Sequence, residues 1–158
     1  VITGLDAGKP LFVRGPESKF NFANFSRAQL ASAAATLSIG MEILSEENVE
    51  IDAICGHGGF FKCPFVGANA MSAALGAPIT TMKTAGEGGP WGVAILAEYM
   101  VSKADGETLD AYLENKVFAE YKASVIEPEK SDVDGFNEYI KRYESAVAVE
   151  KIAIDVLK

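Results

Sequence analysis

Two glycine-rich segments hold the residue types that bind anions. They read Gly56-His57-Gly58-Gly59 and Gly86-Glu87-Gly88-Gly89. Each segment follows a short apolar stretch and precedes a helical pattern. A bound anion would therefore meet both the backbone N–H groups of the loop and the amino terminus of the helix, and glycine has no side chain to block it. Such loops bind phosphate or carboxylate groups through the backbone. Because tight glycine turns are common, the motif predicts a site only together with its surroundings.

The distribution of charge agrees with an anion site near the middle of the chain. The protein has 158 residues and a net charge of −8, and 13 acidic against 7 basic residues fall in 105–158. Residues 51–92 are neutral and hold nine of the 15 glycines. The acidic balance argues against nucleic acid or an anionic membrane as a partner. A hydrophobic content of 49% is enough for a folded core.

The elements that must position these loops follow from the hydrophobic pattern. In chain order we expect a strand at 11–13, a helix at 26–44 capped by Asn24 or Ser26, a strand at 49–55, a helix at 64–76, a strand at 78–82 and a helix at 91–101. This order predicts an α/β fold with parallel strands, in which ligands bind beyond the carboxyl ends of the strands. Both glycine loops fall there. Gly76 is the expected residue after the second helix.

Two regions of the pattern carry further predictions. The helix at 91–101 is apolar nearly all round and is expected to be well buried. Residues 105–158 are expected to form a tail of amphipathic helices, at 108–118 and 134–157, joined by a polar stretch at 125–132.

Several chemistries are disfavoured by spacing. No glycine segment continues into Gly-Lys-Ser/Thr, which excludes a P-loop, and no acidic residue ends a strand about twenty residues after the first loop, which argues against a Rossmann oxidoreductase. Cys55 and Cys63 have no CxxC partner, so we expect reduced, buried thiols and no zinc site.

The side chains in and beside the loops leave alternatives open. His57 has no Ser or Asp in a triad arrangement, which favours shaping of the loop or a place beside a phosphate over proton transfer. Lys62 either reaches a phosphate or faces solvent. Trp91 either stacks on a base or fills the core.

At these loops the sequence resembles the carboxyl-terminal half of the FGGY family of carbohydrate kinases, and its xylulokinase-like and ribulokinase-like members in particular. The similar segments are 54–62, 73–79 and 86–97, with further similarity at 10–14 and 20–28. The resemblance implies an actin-like ATPase (ribonuclease H-like) domain with a largely parallel sheet flanked by helices and a helical carboxyl-terminal tail. Residues 1–158 would then form one domain, with an α/β core at 1–104 and the helical tail at 105–158. This domain would be the nucleotide-binding half of a longer two-domain kinase.

The resemblance also implies ATP-binding residues. Gly56, Gly58, Gly59 and Phe60, with His57 among them, match the loop along the ATP phosphates and ribose, and Glu87, Gly88 and Gly89 match the loop near the adenosine. Mg²⁺ would accompany ATP. The catalytic aspartate and the sugar contacts belong to the amino-terminal half in this family, so this chain is expected to contain no catalytic residue and no metal ligand of its own.

The function expected from the resemblance is that of a cytoplasmic sugar kinase, which transfers the γ-phosphate of ATP to a ketopentose such as xylulose, with ribulose or another sugar as the alternative. The partners would be ATP, the sugar and the amino-terminal domain, and exposed apolar surface would favour a homodimer. This chain alone is expected to be inactive. A different class of function, a non-catalytic nucleotide-binding or assembly module, also stays open because His57 interrupts the first glycine run.

Overall fold

The computed structural model describes residues 8–63, 65–120 and 123–157. Its helices are α1 (Phe22–Glu46), α2 (Val66–Leu75), α3 (Gly88–Ser102), α4 (Leu109–Tyr112) and α5 (Lys130–Val156), and its strands are β1 (Ile54–Gly56), β2 (Ile79–Thr81) and β3 (Ser124–Ile126). The chain divides into two compact units. The helical unit takes the described parts of Val1–Asp52, Ala70–Ala77 and Pro128–Lys158, and the loop unit those of Ala53–Asn69 and Pro78–Glu127.

The first helix begins earlier than the sequence predicts. Asn21 is extended and its side chain accepts a hydrogen bond of 2.8 Å from the Asn24 backbone N–H, so Asn21 is the cap. The predicted caps, Asn24 and Ser26, were wrong because both already lie inside α1. The cap prediction followed the first apolar repeat, but helix α1 starts where an asparagine satisfies the amino-terminal N–H groups.

The core of the helical unit is built around small side chains. Ala34 of α1, Ala74 of α2 and Phe136 of α5 are buried together. Alanine lets helix backbones approach closely, and the large ring fills the remaining space. The Ser38 hydroxyl donates to the Ala74 carbonyl at 3.1 Å, which satisfies a polar group beside this core. An ion pair between Arg27 and Asp132 joins α1 to α5 at the surface.

The sheet of the loop unit is mixed. Strands β1 and β2 are parallel, with Ile54 opposite Ile79, which confirms the predicted parallel pair. Strand β3 pairs antiparallel with β2, and Ile126 lies opposite Ile79. The expected largely parallel sheet is therefore only partly present, and β3 lies in the region between the two predicted tail helices. The stretch predicted to be a polar linker begins with β-branched residues, which suit a strand beside β2.

Helix α3 is the largest departure from the sequence-based expectations. The sequence predicted a buried helix, but none of its residues is buried, and Val93, Met100 and Val101 are 67%, 76% and 81% exposed. On one side of α3 the ring of Trp91 packs edge-on against the ring of Phe118. On the other side, Val93, Leu96, Met100 and Val101 face solvent. Among the described residues, no helix is long and apolar enough to cross a membrane.

Other local expectations had mixed outcomes. Gly76 ends α2 with a φ of +60°, as predicted for a residue after a helix. Residues 11–13 are not a strand. Both cysteines are free, but both are exposed, so the prediction of buried thiols was wrong. Side chains alternate between the two faces of a strand, so Cys55 lies on the face of β1 opposite to Ile54. Val125 lies in register with Cys55 across the sheet and is 53% exposed, so this face of the sheet is open to solvent.

Candidate functional site

The parallel pairing of β1 and β2 places both glycine loops at one edge of the sheet. Gly56 at the end of β1 lies opposite Thr81 at the end of β2. The first loop continues into a 3₁₀ turn at Gly59–Phe61, and the second passes through a 3₁₀ turn at Ala85–Glu87 into α3. The structure therefore places all the residues that the sequence predicts to bind ATP in these two loops, at the end of β1 or at the start of α3. These are Gly56, His57, Gly58, Gly59, Phe60, Glu87, Gly88 and Gly89.

A backbone hydrogen bond joins the two loops. The Gly58 N–H donates to the Ala85 carbonyl at 2.7 Å. Gly58 has a φ of +100°, a conformation that side chains disfavour, and its carbonyl accepts from the Phe61 N–H at 3.0 Å. The amide of Gly58 thus fixes the separation of the loops.

At two further positions in the site, a neighbouring ring leaves no room for any side chain, so only glycine fits. A Cβ atom at Gly56 would overlap the ring of Phe61, and one at Gly88 would lie 2.9 Å from Nδ1 of His57. The imidazole of His57 therefore packs against the second loop. This position suits the loop-shaping role more directly than proton transfer, because the ring contacts backbone of the same site.

Gly59 and Gly89 have a different environment. Apart from the adjacent residues and the backbone of α3 itself, no atom lies within 4 Å of a Cβ built at either position, and both residues are exposed. Gly59 begins the 3₁₀ turn and Gly89 lies in the first turn of α3. A ligand can therefore approach the backbone closely at these two positions. A helix amino terminus also carries a partial positive charge, which favours an anion there.

The charged side chains of the two loops meet each other. Nζ of Lys62 lies 2.6 Å from Oε1 of Glu87, and both side chains are more than half exposed. The stem of Lys62 crosses the second loop, where its Cγ would lie 2.9 Å from a Cβ at Gly86. Spacing in the sequence gives no sign of this pair, because its members meet only through the pairing of β1 with β2.

The donor set of the site fits an anion. It consists of exposed backbone at glycines, one ammonium group and the beginning of α3. Within the described ranges there is no group of three or more His, Cys, Asp or Glu residues that could hold a metal ion. Trp91 is half-buried with its ring centroid 5.8 Å from that of Phe118, so its ring has a packing partner within the loop unit.

Comparison with protein families identifies the chain. A model described as the FGGY family of carbohydrate kinases, C-terminal domain, matches residues 1–101, which include both glycine loops. The chain belongs to the FGGY family of carbohydrate kinases. The resemblance seen in the sequence is thereby confirmed, and membership implies the actin-like ATPase fold. Kinases of this family generally use ATP and Mg²⁺. Comparisons with curated proteins and with solved structures gave no match.

Proposed function

We propose that this chain is the nucleotide-binding domain of an FGGY sugar kinase and that the paired glycine loops are its ATP site. The observation that carries the proposal is the contact between the loops, made by the Gly58 N–H on the Ala85 carbonyl. It joins two anion-binding loops into one surface at the carboxyl ends of β1 and β2, where α/β folds bind their ligands.

In this proposal the first loop follows the phosphates and ribose through Gly56, His57, Gly58, Gly59 and Phe60, and the second loop lies near the adenosine through Glu87, Gly88 and Gly89. Gly59 and Gly89 leave room for close approach of the nucleotide to the backbone. Mg²⁺ bound to ATP would neutralise phosphate charge. The residues of this chain bind and orient the nucleotide.

Phosphoryl transfer also needs a group that accepts the proton of the sugar hydroxyl, held in line with the γ-phosphate. We propose that this group and the sugar contacts come from the amino-terminal part of a longer, cytoplasmic kinase. The proposed acceptor is a ketopentose such as xylulose, with ribulose or another sugar as the alternative. The chain by itself then binds ATP weakly and transfers no phosphate.

A second candidate is a nucleotide-binding module without catalysis. The packing of His57 against Gly88 favours it, since an imidazole occupies space between the two loops. Release of ADP from ATP in the presence of a sugar distinguishes the kinase from the non-catalytic module. The longer kinase should release ADP when it is given ATP, Mg²⁺ and a ketopentose, whereas a module should bind ATP and release none above blank with any sugar of a panel.

The test of the site is a substitution that blocks the approach of the nucleotide without disturbing the fold. Gly58 is unsuitable, because a β-branched residue at a φ of +100° is strained in itself. Gly59→Val should instead weaken Mg·ATP binding at least about tenfold in calorimetry while the urea midpoint stays unchanged. Gly15→Val is the matched control, since Gly15 also has open space around its Cβ position and lies outside the loops. Equal ATP affinity in both variants would contradict the assignment.

A further inference from the structure

The Lys62–Glu87 pair is the one charged contact within the glycine loops, and it joins one loop to the other. No other Asp, Glu, Lys or Arg occurs in residues 56–63 or 84–92. The ammonium of Lys62 lies 2.6 Å from the Glu87 carboxylate, which immediately precedes the first residue of α3. The ammonium of Lys62 is therefore held beside the helix terminus at which an anion would bind.

This pair can exchange partners at little cost. The side chains are 58% and 67% exposed. Ion pairs at such exposure contribute little to stability, whereas ammonium contacts to phosphate are charge-assisted and form with several negative charges at once. A triphosphate that approaches Gly59 and Gly89 would compete with Glu87 for the same ammonium.

We infer that Lys62 is a phosphate-binding residue, that Glu87 holds its ammonium across the second loop in the ligand-free protein, and that the triphosphate displaces this carboxylate. Glu87 is then a positioning residue that acts through Lys62 and opposes binding. The inference rests on the proposed function and extends it, because it gives the Glu87 side chain a role other than contact with adenosine.

The two single variants should change affinity in opposite directions. In calorimetry on the whole chain, Lys62→Gln should weaken Mg·ATP binding about tenfold, because a charge-assisted contact is lost. Glu87→Gln should strengthen it about threefold, because the ammonium no longer has a competing partner. Both side chains are at the surface, so both variants should fold.

The double variant separates competition for Lys62 from general repulsion by Glu87. If Glu87 acts through Lys62, the double variant should bind Mg·ATP as Lys62→Gln does. A threefold gain from Glu87→Gln that persists without Lys62 would overturn the inference, since the carboxylate would then simply repel the phosphates.

A control ion pair elsewhere in the chain, and the two halves of ATP used as separate ligands, define what Lys62 recognises. Lys141 and Glu138 of α5 form a matched exposed pair at 2.9 Å in the helical unit, so Lys141→Gln and Glu138→Gln should leave ATP affinity unchanged. Inorganic tripolyphosphate should reproduce the shifts seen for Mg·ATP in the Lys62 and Glu87 variants, and adenosine should show none. Weaker adenosine binding in Glu87→Gln would overturn the inference and identify Glu87 as a nucleoside contact.

Failure of the inference differs from failure of the proposed function. If the unmodified chain binds Mg·ATP and neither Lys62→Gln nor Glu87→Gln changes the affinity, the inference is wrong while the ATP site stands. If the unmodified chain binds neither Mg·ATP nor tripolyphosphate, both are wrong.

Discussion

The helical unit and the loop unit both depend on small residues, but for opposite purposes. In the helical unit Ala34 and Ala74 let helices pack around Phe136, and the small side chains disappear into a core. In the loop unit Gly56 and Gly88 let aromatic rings lie against the backbone of exposed loops. Small residues thus produce a packed core in one unit and, in the other, loops whose backbone touches rings at Gly56 and Gly88 and stays open at Gly59 and Gly89.

Under the proposed function, this difference separates the part of the protein that serves stability from the part that serves binding. The helical unit should respond to mutation through its free energy of unfolding. The loop unit contains strands of only three residues each and a helix, α3, with four large apolar side chains exposed to solvent. Its loops can be altered at open positions with little effect on folding, and binding should respond there.

The largest expected effect is in the core of the helical unit. Phe136→Ala should lower the free energy of unfolding by about 3–5 kcal/mol, because the buried ring leaves a cavity among alanines that cannot fill it. Urea denaturation measures the loss. Val149→Ala on the same helix, where the side chain is 45% exposed, is the control and should cost far less. Similar losses in both variants would show that this core does not hold the unit together.

A smaller loss is expected where a glycine of the loop unit touches a ring. Gly56→Ala should cost about 1–3 kcal/mol, because the new methyl group overlaps Phe61. Gly92→Ala within α3 has open space and should be neutral or stabilising. Thermal denaturation of the two variants compares them directly. If Gly56→Ala is as stable as Gly92→Ala, the close packing of the first loop is not required.

A gain in stability is expected in the helical unit. Gly135 lies inside α5, is exposed and has open space at its Cβ position, so Gly135→Ala should stabilise the protein by about 0.5–1 kcal/mol. Gly76→Ala is the contrasting variant and should destabilise, because its φ is +60°. A lower urea midpoint for Gly135→Ala would contradict the helical backbone at this position.

The smallest effect is electrostatic and lies beside α4. Hydrogen bonds from the Lys116 ammonium at 2.8 Å and the Ala104 N–H at 2.9 Å hold the pKa of the Glu107 carboxyl below its usual range. A lowered carboxyl pKa favours the folded protein at neutral pH, and that contribution is lost as the pH falls through the lowered value.

Lys116→Gln should therefore raise the pKa of Glu107 toward its ordinary value, as an NMR pH titration would show. The pKa of Glu138, which Lys141 holds below the usual range in the helical unit, is the internal reference and should not move. If the pKa of Glu107 does not change, the hydrogen bond from the Ala104 N–H alone accounts for its lowered value.

The sequence by itself determined the local elements and the family. Periodic apolar residues placed the long helices, glycine runs after apolar stretches placed both glycine loops beyond the ends of a parallel strand pair, and Gly76 marked the end of α2. These features depend on backbone chemistry and on neighbours a few positions away, so they can be read locally.

Only the tertiary structure decided which distant parts meet. The antiparallel pairing of β3 with β2, the exposure of α3 and Cys55, and the pair between Lys62 and Glu87 are all absent from local patterns. An apolar helix pattern shows that a helix can be buried, but burial requires something that packs on it. Likewise, the two loops face each other because β1 and β2 align in register, and this alignment is a property of the folded sheet.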